Sequence, residues 1–186
     1  LKKRGAKIID VSLPNTKYGV ASYYVITPSE VSSNLARLTG LRYGLDRSNF
    51  GDEAVRRIMI GTFSLSSGYY DAYYTKATQV RNLITNDFEE VFKQVDVLLT
   101  PVTPMMPPKI GEVVNDPLKN YLMDLLMIPV NMSGVPSLAI PAGFIDNIPV
   151  GLQIIGKKFS EELLYKVGKK LEDETGFYKV KPDSCI

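Results

Sequence analysis

Histidine is absent from the 186 residues, and that absence excludes more than any single residue present. Without an imidazole there is no Ser-His-Asp relay, no Cys-His pair and no histidine-bound metal. If the chain serves acyl transfer, its base is of another kind. Cysteine is nearly absent as well. The lone Cys185 stands next to the last residue, so neither a disulfide framework nor a thiolate metal cluster forms within the chain. No apolar run approaches the roughly 20 residues of a membrane span, and no signal peptide is recognisable. A soluble protein of the cytoplasm or of an organellar matrix, with no membrane partner, is expected. Charge of one sign is lacking too: the formal net charge is +2 and the longest basic run is Lys2–Arg4, so nothing marks a nucleic-acid surface.

What is present suffices for a single domain with a sizeable core, 45% of the residues being hydrophobic. The stretch Asn115–Gly156 organises it. Asp116-Pro117 reads as a helix start, a capping carboxylate followed by a proline that wastes no donor. Leu118, Tyr121, Leu122, Leu125 and Leu126 recur at helical spacing, and Pro129 ends the run. Ser137–Pro141 and Pro149–Ile155 are apolar strands bounded by Gly, Pro, Asp and Asn.

Before this stretch, Leu1–Gly5 resembles the last turn of a helix stopped by Gly5, and Ala6–Leu13 reads as a strand. Opening inside a helix suggests part of something longer. Thr27-Pro28-Ser29-Glu30 is a capping box for a helix reaching Leu38. Gly44–Gly51 is a polar loop. Asp52–Leu65 reads as a helix with Val55, Ile58 and Met59 inward. Asp71–Lys93 is a longer one with Ala77, Val80, Ile84, Phe88 and Val91 on one face. Val95–Pro101 is a buried strand, followed by the uncharged, extended PVTPMMPP. After the hairpin, Ser160 caps a last helix that turns Leu163, Leu164, Val167 and Leu171 inward and stops at Gly176; the tail from Tyr178 frays. Strands at 6–13, 95–101, 137–141 and 149–155 alternating with helices give an α/β fold, a mixed central sheet covered by helices.

Read from the residues alone, the chemistry is sparse. Asp124 is an acid on the border of an apolar helical face, Arg56 and Arg57 near a helix start read as surface charge, and Tyr23 and Tyr24 read as packing. Ser66-Ser67-Gly68 is no nucleophile loop, because no second glycine pair flanks it and no lysine stands at a useful spacing. The run Ser66–Tyr74 is an aromatic ridge joining two helices. Asn131–Pro136 turns the chain, with lining a cleft as its alternative role.

Three runs carry a resemblance: SLPNTKYGVASYYVITPSEVSSNLARLTGLRYG, RRIMIGTFSLSSGYYDAYYTKATQVRNLI and PVNMSGVPSLAIPAGFIDNIPVGLQIIGKKFSEELL. Together they resemble the amidase-signature family. Within it they are similar to the A subunits of the amidotransferases that act on Glu-tRNA(Gln) and Asp-tRNA(Asn), rather than to amidases generally.

The resemblance implies that residues 1–186 are the C-terminal part of one amidase-signature domain. Its nucleophile serines, catalytic lysine and Gly/Ser-rich signature would lie upstream, so no catalytic residue falls in this chain. It favours helix over strand for Ala21–Ile26, and it implies about 15 more residues at the 44–51 loop than stand here. It implies glutamine as substrate, a Ser–cis-Ser–Lys mechanism that needs no histidine, and no metal or cofactor held by these residues. ATP and Mg²⁺ would act at a partner B subunit, which also meets the tRNA; a small C subunit would sit at the interface.

Free glutamine is a zwitterion. A specific pocket presents a cation to its carboxylate, for which arginine's planar fork is suited, and an anion or phenol to its ammonium. By the family motif Arg57 falls on the carboxylate contact, Asp124 on the ammonium contact, and Tyr23 beside them, with Tyr24 the alternative register. The rival readings are a stand-alone amidase acting on another amide and a non-catalytic module. The 186 residues by themselves are expected to lack amidase activity.

Overall fold

The computed structural model describes residues 1–40, 43–110 and 121–181. The predicted helix start at Asp116-Pro117, Leu118 and Cys185 lie outside them. The chain divides into two units, Leu1–Thr16 with Ile84–Ile186, and Lys17–Leu83.

The first unit is built on a three-stranded sheet. Strands β1 (Val97–Pro101), β2 (Ser137–Ile145) and β3 (Ile148–Gly156) lie in the order β1-β3-β2. The β2–β3 connection is a two-residue hairpin at Asp146-Asn147, both with positive φ (49° and 63°), the conformation whose twist suits such hairpins and which Asp and Asn tolerate. On one face of the sheet Ile140 and Ile154 pack with Leu164 of the last helix, Glu161–Thr175, and Val97, Leu138, Leu152, Val167 and Leu171 gather round them. Gly168 lets that helix come close: a Cβ there would sit 2.5 Å from Leu138 Cδ2. The expected inward face of the long helix holds here, since Ile84, Phe88 and Val91 are all buried.

Both ladders are antiparallel, so the mixed sheet expected from the alternation is not formed among the described residues; helix and strand combine as expected. The missing element is Ala6–Leu13. It is not a strand. The run stays irregular, tied at one end by the Arg4–Glu174 ion pair and at the other by Asn15, whose amide N and Nδ2 donate to the Asp87 carboxylate (2.7 and 2.8 Å). Strand composition supplies side chains that fit a pleat, but a strand also needs a ladder partner, and none bonds it among the described residues. It lines a cavity of about 750 Å³ together with residues 94–100, Leu163 and Val167. The Val102 N–H donates to the Gly151 carbonyl (3.2 Å). By the two-residue alternation of an antiparallel pair, the Val97 and Leu99 amides then point away from β3, toward the free edge.

The second unit is helical. Helix α1 (Gly19–Leu35) runs through Pro28 and meets α2 (Asp52–Ser64). Ala21–Ile26 is therefore helical, while Thr27–Glu30 is no start: the chain already turns helical at Gly19, and proline's fixed φ fits a helix it did not open. Ser29 Oγ donates to the Val25 carbonyl (2.7 Å) within that turn. The interface is made of small residues. Ser22, Ser29, Gly61 and Ser64 are buried, and a Cβ at Gly61 would lie 1.9 Å from the Pro28 carbonyl oxygen. Because α2 turns this narrow side to α1, Val55 and Met59, expected inward, stand 40% and 68% exposed. The 44–51 loop folds around Asp46, which accepts from the Ser48 amide (2.9 Å), while Arg47 Nη2 donates to the Ala36 carbonyl at the C-terminus of α1 (2.8 Å).

A π-helical turn, Tyr70–Thr75, leads into α3 (Lys76–Val91). Two further expectations shift. Pro129 sits in the first turn of α4 (Ile128–Ser133) rather than only ending the helix before it, in keeping with proline's tolerance there. Ser160 does not cap the last helix, α5 (Glu161–Thr175), by its side chain, because its Oγ donates to the Lys157 carbonyl (2.7 Å) instead. Gly176 does end that helix, in the left-handed conformation.

Candidate functional site

The cluster that gathers around a predicted site residue is in the helical unit. Arg57 is one turn along α2 from Glu53, and its Nε–H donates to Glu53 Oε1 at 2.8 Å. Its guanidinium carbon lies 5.5 Å from the centre of the Tyr24 ring on α1, within the range of a cation–π contact. Tyr23 meets Tyr24 edge to face, with ring centres 5.3 Å apart. The structure therefore brings Arg57 onto Tyr24 directly and onto Tyr23 through it.

Arg56 pairs with the other oxygen of the same carboxylate, yet the two arginines differ. Arg56 is 66% exposed and Arg57 only 28%. Burial works against the Arg57 charge, but the hydrogen bond and charge of Glu53, with smaller help from Tyr24 and Tyr23, leave its pKa above the usual arginine value. Glu53 is held below the usual carboxylate range, first by the hydrogen bond from Arg57. The cation is thus fixed as a cation. With Nε engaged by Glu53, the two terminal nitrogens of Arg57 form the fork that suits a carboxylate.

Asp124 belongs to the sheet unit. It is half-buried at the turn entering α4, where its main-chain carbonyl accepts from the Met127 and Ile128 amides (3.1 and 3.0 Å). Its carboxylate has no ion-pair partner among the described residues. The aromatic ridge is present as expected: Phe63 and Tyr69 rings lie 4.1 Å apart, Tyr69 and Tyr73 6.0 Å, Tyr70 and Tyr74 5.2 Å. Asn131–Pro136 turns the chain, with Gly134 ending α4 at φ 67°. Sequence reasoning missed Glu53, although its spacing of four before Arg57 on a helix was visible. It also missed Gln153, whose buried side-chain nitrogen lacks a hydrogen-bond partner among the described residues. Among the described residues, no group of three or more acidic, cysteine or histidine side chains stands where it could hold a metal, and no helix is long and apolar enough to cross a membrane.

The chain belongs to the amidase family, whose model matches residues 1–165. More narrowly, it is 51% identical, over 98% of its length, to the A subunit of the glutamyl-tRNA(Gln) amidotransferase from Geobacillus thermodenitrificans, and 50% identical over the same share to its counterpart from Listeria innocua. The crystal structure of the Thermotoga maritima counterpart matches with a TM-score of 0.72 and 44% identity over 94% of this chain. The chain spans 41% of the length of the curated relatives and 36% of the Thermotoga chain. The alignment with the Geobacillus protein, 197 positions, is longer than the chain itself, so that relative carries residues this one lacks.

Proposed function

We propose that these residues are the substrate-orienting part of the A subunit of a glutamine-hydrolysing amidotransferase, which supplies ammonia for converting Glu-tRNA(Gln) or Asp-tRNA(Asn). What supports this reading is the identity of about one half to such A subunits along nearly the whole chain, joined to an arginine held charged with its terminal nitrogens forming a fork. In this reading Arg57 takes the α-carboxylate of glutamine, Asp124 its ammonium group, and Tyr23 flanks them. A serine outside this chain attacks the carboxamide carbon, a lysine acting through a second serine moves the proton, ammonia leaves, and water clears the glutamyl ester. The residues present here do no bond chemistry. They hold a zwitterion in a reactive pose, which is where much of an enzyme's advantage over solution arises. ATP and Mg²⁺ serve a B subunit that carries the tRNA, and a C subunit completes the assembly.

The test uses the complete enzyme with its partners. Arg57→Ala and Asp124→Ala are each expected to lower kcat/KM for glutamine roughly 10- to 100-fold, the loss of a charge-assisted hydrogen bond of about 1.5–3 kcal/mol. Amidation with free ammonium as donor should persist, because that route bypasses the pocket. An equal fall with ammonium overturns the assignment. A glutaminase assay with and without the B subunit separates this reading from a stand-alone amidase. Residues 1–186 by themselves are expected to hydrolyse no glutamine.

A further inference from the structure

We propose that Glu53 and Tyr24 are positioning residues, which hold the Arg57 guanidinium by its Nε edge and one face so that its two terminal nitrogens stand as a fixed fork for the carboxylate of an amino-acid amide. The inference rests on the reading of Arg57 as a substrate contact and adds residues that the family motif did not supply.

An arginine side chain on a helix surface has four rotatable bonds and ordinarily wanders. Here two contacts limit it, and a third braces one of them. Glu53, one turn back on the same helix, accepts from Nε at 2.8 Å. Tyr24 lies against the guanidinium at 5.5 Å. Tyr24 is itself braced edge-on by Tyr23 at an interplanar angle of 83°. Arg56 serves as an internal comparison, because it shares the same carboxylate and yet remains 66% exposed. The carboxylate alone therefore leaves a guanidinium exposed; at Arg57 the ring covers one face as well.

Charge counting agrees. Glu53 pairs with both arginines, which leaves the terminal nitrogens of Arg57 a cation for one carboxylate. Orientation matters because two parallel hydrogen bonds form only when the fork and the carboxylate share a plane. Fixing the fork beforehand spares the ordering cost at binding. The effect should therefore fall on KM for substrates that carry an α-carboxylate, and on little else.

The experiment measures steady-state kinetics of the complete enzyme with its partners, on glutamine and on a primary amide lacking the α-carboxylate. Glu53→Ala is expected to raise KM for glutamine about 10-fold, with kcat within about twofold, the signature of lost ground-state binding. Glu53→Gln, whose side-chain oxygen still accepts from Nε, should recover most of that loss. Tyr24→Leu should raise KM by a smaller factor, about 3-fold. None of the three should alter KM for the amide without a carboxylate. If Arg57→Ala raises KM for glutamine while Glu53→Ala and Tyr24→Leu do not, the positioning role is overturned and the substrate contact stands. If Arg57→Ala also leaves KM unchanged, both readings fall. A Glu53→Ala variant that loses activity equally on both substrates, or whose Gln counterpart shows no recovery, is structural and overturns the proposal.

Discussion

The two units hold themselves together in opposite ways. The sheet unit buries large apolar side chains: Ile84, Phe88, Ile154 and Ile155 are all at most 2% exposed. The helical unit buries small ones, Ser22, Ser29, Gly61 and Ser64 beside Ile26 and Pro28, and sets its helices by backbone contact. Several of its large apolar groups, Met59 and Phe63 among them, stay outside. Packing by close approach keeps side chains such as Arg57 out of the core, whereas packing by volume spends them on it.

Substitutions can break or sharpen this contrast. The largest effect is expected in the sheet unit, where Ile154→Ala empties fully buried space and should cost about 2–5 kcal/mol in denaturant unfolding. Gly61→Ala comes next and tests the sign. Helix propensity alone would favour alanine by about 1 kcal/mol, but the added methyl meets the Pro28 carbonyl, so a net loss of about 1–3 kcal/mol is expected. A stabilised Gly61→Ala would mean that the helices are not in close backbone contact.

A smaller effect concerns pH. The folded-state pKa of Glu53 is lowered, so its contribution is complete above the ordinary glutamate value and is lost as pH falls through the lowered one. Both partners are partly exposed, which limits that contribution to under about 1 kcal/mol. Acid unfolding curves of wild type and Glu53→Gln should converge at low pH and separate slightly at neutral pH. Smallest of all, Met59→Gln should shift stability by no more than about 0.5 kcal/mol in the isolated chain, since the side chain it replaces is already in water.

The same contrast explains what could be read beforehand. In the sheet unit, the periodicity of Ile84, Phe88 and Val91 named residues that are buried, and the apolar runs at 137–141 and 149–155 named paired strands. In the helical unit, the apolar spacing of Val55 and Met59 was real, but periodicity reports which face is apolar and not whether anything covers it. From spacing alone Arg57 reads as surface charge, and only the family resemblance singles it out. Glu53 carries a visible i,i+4 signal with Arg57, but such pairs are common on solvated helices and mark no site by themselves. Ala6–Leu13 had strand composition, yet pairing depends on a neighbour that no local pattern can supply.

One consequence follows from the open side of β1. Its outward amides at Val97 and Leu99 belong to residues that line the cavity beside Ala6–Leu13, and a row of such donors accepts an extended polypeptide with little regard to its sequence. How concentrated a solution these 186 residues tolerate in isolation therefore depends on what occupies that edge as well as on their nearly balanced charge.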